Sequence, residues 1–278
     1  MLTDSPSDLP EDLIRRYRIE VVPAVLVLDG HPYLDGRDIS RAEFYNRLPN
    51  LLISPTTASA ASRDFSVCAA KLFDSGCEHV LGIFTAEKLT AAANTARKAA
   101  EEFNGRFSVI ESGSLSMGTG FQVLAAAEAI ENGQGLEQVL AEVQSVRQRL
   151  KVFAALDTVE YMRRSGRVPR AVGGLGGLLN IKPVVELREG QVHPLDAPRT
   201  SRRAADKLLS LLAELGPLER LSILHTNAEA RANELLARLQ VLQNGRLPAD
   251  IRVLNVTTVI GTHVGPNGLG VAAVRNSR

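Results

Sequence analysis

The chain has 278 residues, a net charge of +1 and a hydrophobic fraction of 45%, which suits a globular protein of one large or, more in keeping with the length, two domains and excludes disorder. Near-neutral charge without a basic run offers nothing for nucleic acid, and no stretch of roughly 18 apolar residues is present to span a membrane. The polar start Thr3-Asp4-Ser5-Pro6 is unlike a signal peptide, and Cys68 and Cys77 lack zinc or disulfide-framework spacing, so they are expected to be buried, inert thiols in a reducing cytoplasm.

Strand and helix signals alternate through the first half. Thr3-Asp4-Ser5 looks like the polar end of a strand with only Met1 and Leu2 before it, so the strand is either stunted or begins late. Residues 20–28 (EVVPAVLVL) read as a strand, edge or bulged because of Pro23. Residues 79–84 and 107–110 are short apolar runs of buried-strand type, and Leu89, Ala92, Ala93, Ala96, Ala99, Ala100 and Phe103 between them recur at helical spacing. Residues 121–130, closed by Asn132-Gly133, and 136–150 read as two more helices. Such alternation implies an N-terminal domain, residues 1–150, with a mostly parallel sheet and helices on its faces.

From residue 151 the pattern changes to a mixed α/β domain, residues 151–278. A strand at 151–156 is followed by a short helix through Tyr161 and Met162, the glycine-rich segment 173–179, a strand at 184–187 and a hairpin turn at 188–191. Helices at 201–215 and 228–243 follow, with strands at 221–224, 251–256 and 268–274. The apolar β-rich run continues to Ile260 and gives way to Gly261-Thr262-His263-Val264-Gly265-Pro266-Asn267-Gly268. Taken alone, that run is a tight turn with a satisfied histidine. It also sets a hydroxyl and an imidazole side by side, able to donate to an oxyanion.

Other motifs are weaker. Gly118-Thr119-Gly120 opens a helix but lacks the third glycine and the later acid of a dinucleotide fingerprint, and Gly174-Leu175-Gly176 fails likewise. The hydroxyls of Glu111-Ser112-Gly113-Ser114-Leu115-Ser116 lack a nucleophile elbow and read as groups that cap the next helix and satisfy backbone donors. The five histidines are scattered, so no metal site is expected. Arg163 and Arg164 read as a solvated helix end, whereas Arg167, beyond Gly166, can turn back toward a cleft. Aromatics are only 4% with no Trp, which weighs against base or sugar stacking and suits an aliphatic ligand.

The blocks Thr3-Asp4-Ser5 with Asp8-Leu9-Pro10, Val21-Val22-Pro23, Tyr33-Leu34-Asp35-Gly36, Val109-Ile110-Glu111-Ser112 with Ser116-Met117-Gly118-Thr119-Gly120, Thr158-Val159-Glu160-Tyr161-Met162, Gly166-Arg167-Val168, Leu179-Asn180-Ile181-Lys182-Pro183 and Gly261-Thr262-His263-Val264-Gly265-Pro266, in that order, resemble the DegV family of bacterial fatty-acid-binding proteins. The resemblance implies a two-domain α/β fold that holds one long-chain fatty acid in an apolar tunnel between or beside the domains. It implies a carrier subunit and no catalyst: the carboxylate is presented to a separate fatty acid kinase for acyl-phosphate formation, and the fatty acid is ligand, with no cofactor. By position it implies a carboxylate site of Thr57, Thr90, Thr262 and His263, with Arg167 as the nearby cation. Three departures stand out: Glu111 replaces the family's Asp, Thr57-Ala58-Ser59-Ala60 replaces T-S-Q-P, and Leu89-Thr90-Ala91-Ala92-Ala93 replaces L-S-G-T-Y. Two alternatives stay open: a degenerate member binding another amphiphile, and a hydrolase or transferase using His263 as base with a nearby Thr or Ser nucleophile.

Overall fold

A computed structural model of the chain describes residues 1–167, 181–244 and 246–277. The glycine-rich segment 173–179, the Gly174-Leu175-Gly176 cluster, Val168 and the Leu179-Asn180 pair lie outside those residues. A four-stranded sheet has β1 (Leu2–Asp4), β2 (Glu20–Val22), β6 (Val80–Phe84) and β7 (Phe107–Glu111) in the order β2-β1-β6-β7, all parallel. Its central strand β6 is buried throughout, because alternate residues meet different layers. Val80 and Phe84 pack against α3 (Ser62–Asp74) and the alanine stripe of α4 (Ala92–Ala100). Leu81 and Ile83 face α5 (Met117–Glu131).

Residues 20–28 are two strands and not one. Pro23, with no N–H to give to a ladder, falls between β2 and β3 (Val25–Leu28). β3 joins a separate antiparallel sheet, in the order β4-β3-β5, with β4 (His31–Leu34) and β5 (Thr56–Ala58). Leu26, Leu28, Phe44, Tyr45 and Leu48 fill the space between this sheet and α2 (Arg41–Arg47).

The six-stranded sheet runs β10-β9-β8-β13-β11-β12. It comprises β8 (Leu150–Ala155), β9 (Val184–Arg188), β10 (Gln191–Asp196), β11 (Leu218–His225), β12 (Ile251–Asn255) and β13 (Leu269–Arg275), antiparallel except for β11 against β12. Glu189 and Gly190 turn the β9–β10 hairpin with φ of 52° and 69°, the left-handed pair that suits a two-residue turn. One face carries α8 (Ser201–Glu214) and α9 (Glu229–Gln243). The other carries α5 and α6 (Leu136–Arg149).

α5 is therefore almost entirely apolar, as suits a helix covered on every side: residues from Met117 to Ala127 are buried, and the polar ones, Thr119 and Gln122, are hydrogen-bonded. One cluster joins Ile83 of β6, Phe121 and Val123 of α5, Val143 of α6, and Val152, Leu224 and Ala272 of the six-stranded sheet.

Two further expectations change. The strand read through to Ile260 stops at Asn255, and the expected glycine turn is instead α10 (Thr258–Val264). The β-branched run is bent into a helix by distant acceptors described below, a tertiary override of local propensity. The cysteines are not both buried: Cys68 is half-buried and Cys77 exposed. Among the described residues no helix is long and apolar enough to cross a membrane.

Because the Phe121 ring fills a core common to both sheets, Phe121→Ala is expected to lower stability by about 3–5 kcal/mol while chemical denaturation stays a single transition. Two separated transitions would contradict a shared core.

Candidate functional site

The chain runs from β1 outward to β2 and later returns to β6 on the other side of β1, so the strand order switches direction between β1 and β6. A crevice opens beyond the carboxyl ends of strands at such a point. Here Pro6, just past β1, and Thr85, just past β6, both line a cavity of about 310 Å³. Sequence reasoning missed these two residues; the switch-point rule, applied once strand order is known, finds them.

Four residues singled out from the sequence meet in this cavity: Thr57, Thr90, Arg167 and His263. Thr57 stands on β5 directly opposite Leu26, so its side chain shares the face of the small sheet on which Leu26 is buried. Its Oγ1 lies 2.9 Å from His263 Nε2. The other ring nitrogen, Nδ1, is buried with no partner among the described residues. Thr90 Oγ1 accepts from the Ala92 N–H at 3.4 Å at the start of α4. Arg167 is exposed at the rim, where it donates to the Ser165 carbonyl at 2.7 Å. Arg163 and Arg164, exposed, both pair with Glu160 of α7 (Glu160–Arg164).

Thr262 departs from the expectation. It is buried, and its hydroxyl donates to the Thr258 carbonyl at 2.9 Å. Adjacent helical residues point about 100° apart, so His263 lines the cavity while Thr262 is turned to the side and is not among the lining residues.

The expected serine caps are also corrected. Ser116 holds the N-cap position of α5 without capping it; its hydroxyl donates to Asp8 Oδ2 at 2.5 Å. Ser112 does satisfy a backbone donor, as expected, accepting from the Ser114 N–H at 3.1 Å, and its hydroxyl also bonds Thr119 Oγ1 at 2.9 Å.

Behind the mouth lies a second cavity of about 100 Å³ that shares Leu115, Met162, Val192, Ile260 and Val264 with the first. Its further walls are mostly apolar, among them Val152, Leu156, Val185 and Leu224 from the six-stranded sheet and the residues next to it. A polar mouth thus backs onto a dry interior, the arrangement an amphiphile needs. Among the described residues no group of three or more His, Cys, Asp or Glu could hold a metal ion.

Burial holds His263 at about 4, with the Arg167 cation acting in the same direction. The imidazole is therefore neutral at physiological pH and acts as a hydrogen-bonding group without charge. Burial pushes Asp4 and Asp8 up to about 6, against the hydrogen bonds and, for Asp8, the Arg41 cation that favour the charged form. Asp4 accepts from the N–H and hydroxyl of Thr85 at 3.2 and 3.0 Å and so fixes a cavity wall.

These groups oppose one another on acidification. The unfolded chain protonates His263 near 6.5 and the folded site only near 4, so stability at this residue falls as pH drops through that window. Asp4 and Asp8 take up protons near 6 when folded and near 3.8 when unfolded, so their contribution rises over much of the same range. The His263 ring, followed by NMR, is expected to titrate with a midpoint of about 4; a midpoint near 6.5 would mean that the ring is not shielded from water.

Comparison with known proteins agrees with this geometry. The family model described as "Uncharacterised protein, DegV family" matches residues 1–276. A DegV domain-containing protein of Caldanaerobacter subterraneus subsp. tengcongensis is 31% identical over 275 residues, covering 98% of this chain and 96% of that protein. One from Streptomyces coelicolor is 30% identical over 277 residues, with coverage of 98% and 96%. Among solved structures, "Fatty Acid Binding of a DegV family Protein from Thermus thermophilus" superposes with a TM-score of 0.89 at 33% identity, covering 99% of this chain and 98% of that one. A hypothetical protein of Thermotoga maritima, described as revealing fatty acid binding function, gives 0.87 at 25% identity with the same coverage. Continuous similarity over nearly the whole length, in sequence and in fold, means that the chain belongs to the DegV family.

Proposed function

We propose that this protein binds one long-chain fatty acid, holding it between the units 1–150 and 151–278. The carboxylate accepts hydrogen bonds from Thr57, Thr90 and His263 at the mouth, and Arg167 supplies positive charge at the rim. The acyl chain enters the adjoining apolar cavity. The observation that carries this reading is the Thr57–His263 pair, 2.9 Å apart, set directly against an apolar interior. The solved DegV relatives described by their fatty acid binding support it.

Magnitudes divide the work between tail and head. At about 0.8 kcal/mol per buried CH₂, about ten methylenes contribute roughly 8 kcal/mol, so the tail supplies most of the affinity. A charge-assisted hydrogen bond adds about 1.5–3 kcal/mol and fixes which end faces out. On this reading the protein is a carrier, and a separate fatty acid kinase phosphorylates the presented carboxylate. The exposed position of Arg167 suits contact with both head group and enzyme.

The geometry disfavours the hydrolase alternative. Thr57 and His263 are spaced as nucleophile and base, but a ring held at about 4 is a weak base. Its Nδ1 also has no described partner to orient it, as a catalytic base requires.

Thr57→Val, which removes a hydroxyl at constant shape, and His263→Ala are each expected to weaken binding of a labelled fatty acid by roughly tenfold to a hundredfold. Unchanged affinity in both would refute the head-group assignment. Arg167→Ala is expected to impair binding or phosphoryl transfer by a partner kinase, whereas Arg163→Ala and Arg164→Ala leave both intact and shift stability by no more than about 0.5 kcal/mol. The reverse ordering would show that the cation is misassigned.

A further inference from the structure

The helix that carries His263 is short and poorly suited to being one. Its seven residues, Thr258–Val264, include five that are β-branched and one glycine, and a helix of this length is not stable alone. It exists because contacts from elsewhere pin it at its start, middle and end. At its start, Asp35 Oδ1 accepts from the Thr258 N–H at 3.2 Å and from the Thr258 hydroxyl at 2.6 Å, while Asp8 Oδ1 accepts from the Thr257 N–H at 2.8 Å. In its middle, Gly261 lies so close to the α2 aromatics that a Cβ there would sit 2.5 Å from Tyr45 Oη and 2.8 Å from Phe44. At its end, Gly265 has φ of +75° and leaves room for the Tyr161 ring, which an added Cβ would meet at 2.2 Å.

Asp35 is the least comfortable of these partners. It is 4% exposed, and its second oxygen is buried with no described partner. A buried carboxylate with an idle oxygen burdens folding, and its hydrogen bonds all go to one residue, Thr258, the first of the helix. The glycine contacts limit how closely the helix approaches its neighbours, but neither fixes where its first turn begins. Asp35 does. From there His263 follows one and a half turns on, with Nε2 2.9 Å from Thr57, a spacing that a shift of about 1 Å would break.

We propose that Asp35 is a positioning residue for the head-group site: it never touches the ligand, and it acts by starting the helix that aims His263 at Thr57. This rests on the fatty-acid reading above. A purely structural role predicts that removing Asp35 weakens binding whatever stands at position 263. A positioning role predicts dependence on His263 itself.

The test is a double-mutant cycle with cis-parinaric acid as fluorescent ligand, combining Asp35→Ala with His263→Ala, alongside ¹⁵N spectra of the histidine rings in the unliganded protein. Asp35→Ala is expected to weaken binding roughly tenfold in the wild-type background and less than twofold when His263 is already Ala. The His263 ring signals should shift or broaden in Asp35→Ala, and Asp35→Asn, which keeps an acceptor oxygen, should recover most of the affinity. Equal losses in both backgrounds would overturn the proposal, as would His263 signals unmoved by the substitution. If Asp35→Ala does not fold, Thr258→Val, which removes only the side-chain donor, completes the same cycle with the same expected outcome. Should the wild-type protein bind no fatty acid, the functional reading falls, while the ring spectra still decide whether Asp35 sets the position of His263.

Discussion

Asp8 and Asp35 accept hydrogen bonds from Thr257 and Thr258 and so begin a helix that its own sequence would not form. The two carboxylates come from the loops after β1 and β4, more than two hundred residues earlier in the chain. Arg41 lies 3.3 Å from Asp8 and also donates to the Asn255 carbonyl, so the end of β12 and the start of α10 are gripped together. Through this junction the parallel sheet, the small antiparallel sheet and the six-stranded sheet share one geometry at the cavity mouth.

The cavity follows from that junction and from the placement of α5. Because α5 is buried between the two large sheets, the loops at the carboxyl ends of β1 and β6 are held over the inner face of the six-stranded sheet. Leu115 and Met162, one from each side, line both the polar mouth and the apolar interior. Thr57, Thr90, Arg167 and His263 gather at the rim, where the proposed carboxylate would find the donors that a buried anion needs. The interior is dry because β8, β9, β11 and β13 turn only apolar side chains or glycine toward it where they line it, except for His225 at the end of β11. The His225 Nδ1 is already occupied by the Ala228 N–H at 3.1 Å.

Much of this was legible in the sequence. The VLGIF strand, the alanine stripe of α4, the α6 helix, the short α7 helix and the β9–β10 hairpin carry period and turn chemistry strong enough to locate them. Four of the five residues that the resemblance assigns to a head-group site line one cavity. What was not legible depended on contacts distant in sequence. The run from Val256 to Ile260 has strand composition, and contacts distant in sequence, foremost the carboxylates of Asp8 and Asp35, make its second half helical. Thr262 was paired with His263 because they are adjacent, and helical geometry separates them. The three-stranded sheet escaped notice because its strands are 3 or 4 residues long, too short for periodicity to register. Thr85 and Pro6 reach the cavity through strand order alone, which no local pattern encodes.

The most direct measurement of the central claim is native mass spectrometry of the gently purified protein, followed by release and identification of any bound small molecule. The account predicts one long-chain fatty acid per protein chain, retained in the native ion and lost on denaturation. A protein that carries no lipid and remains empty when incubated with long-chain fatty acids would contradict it.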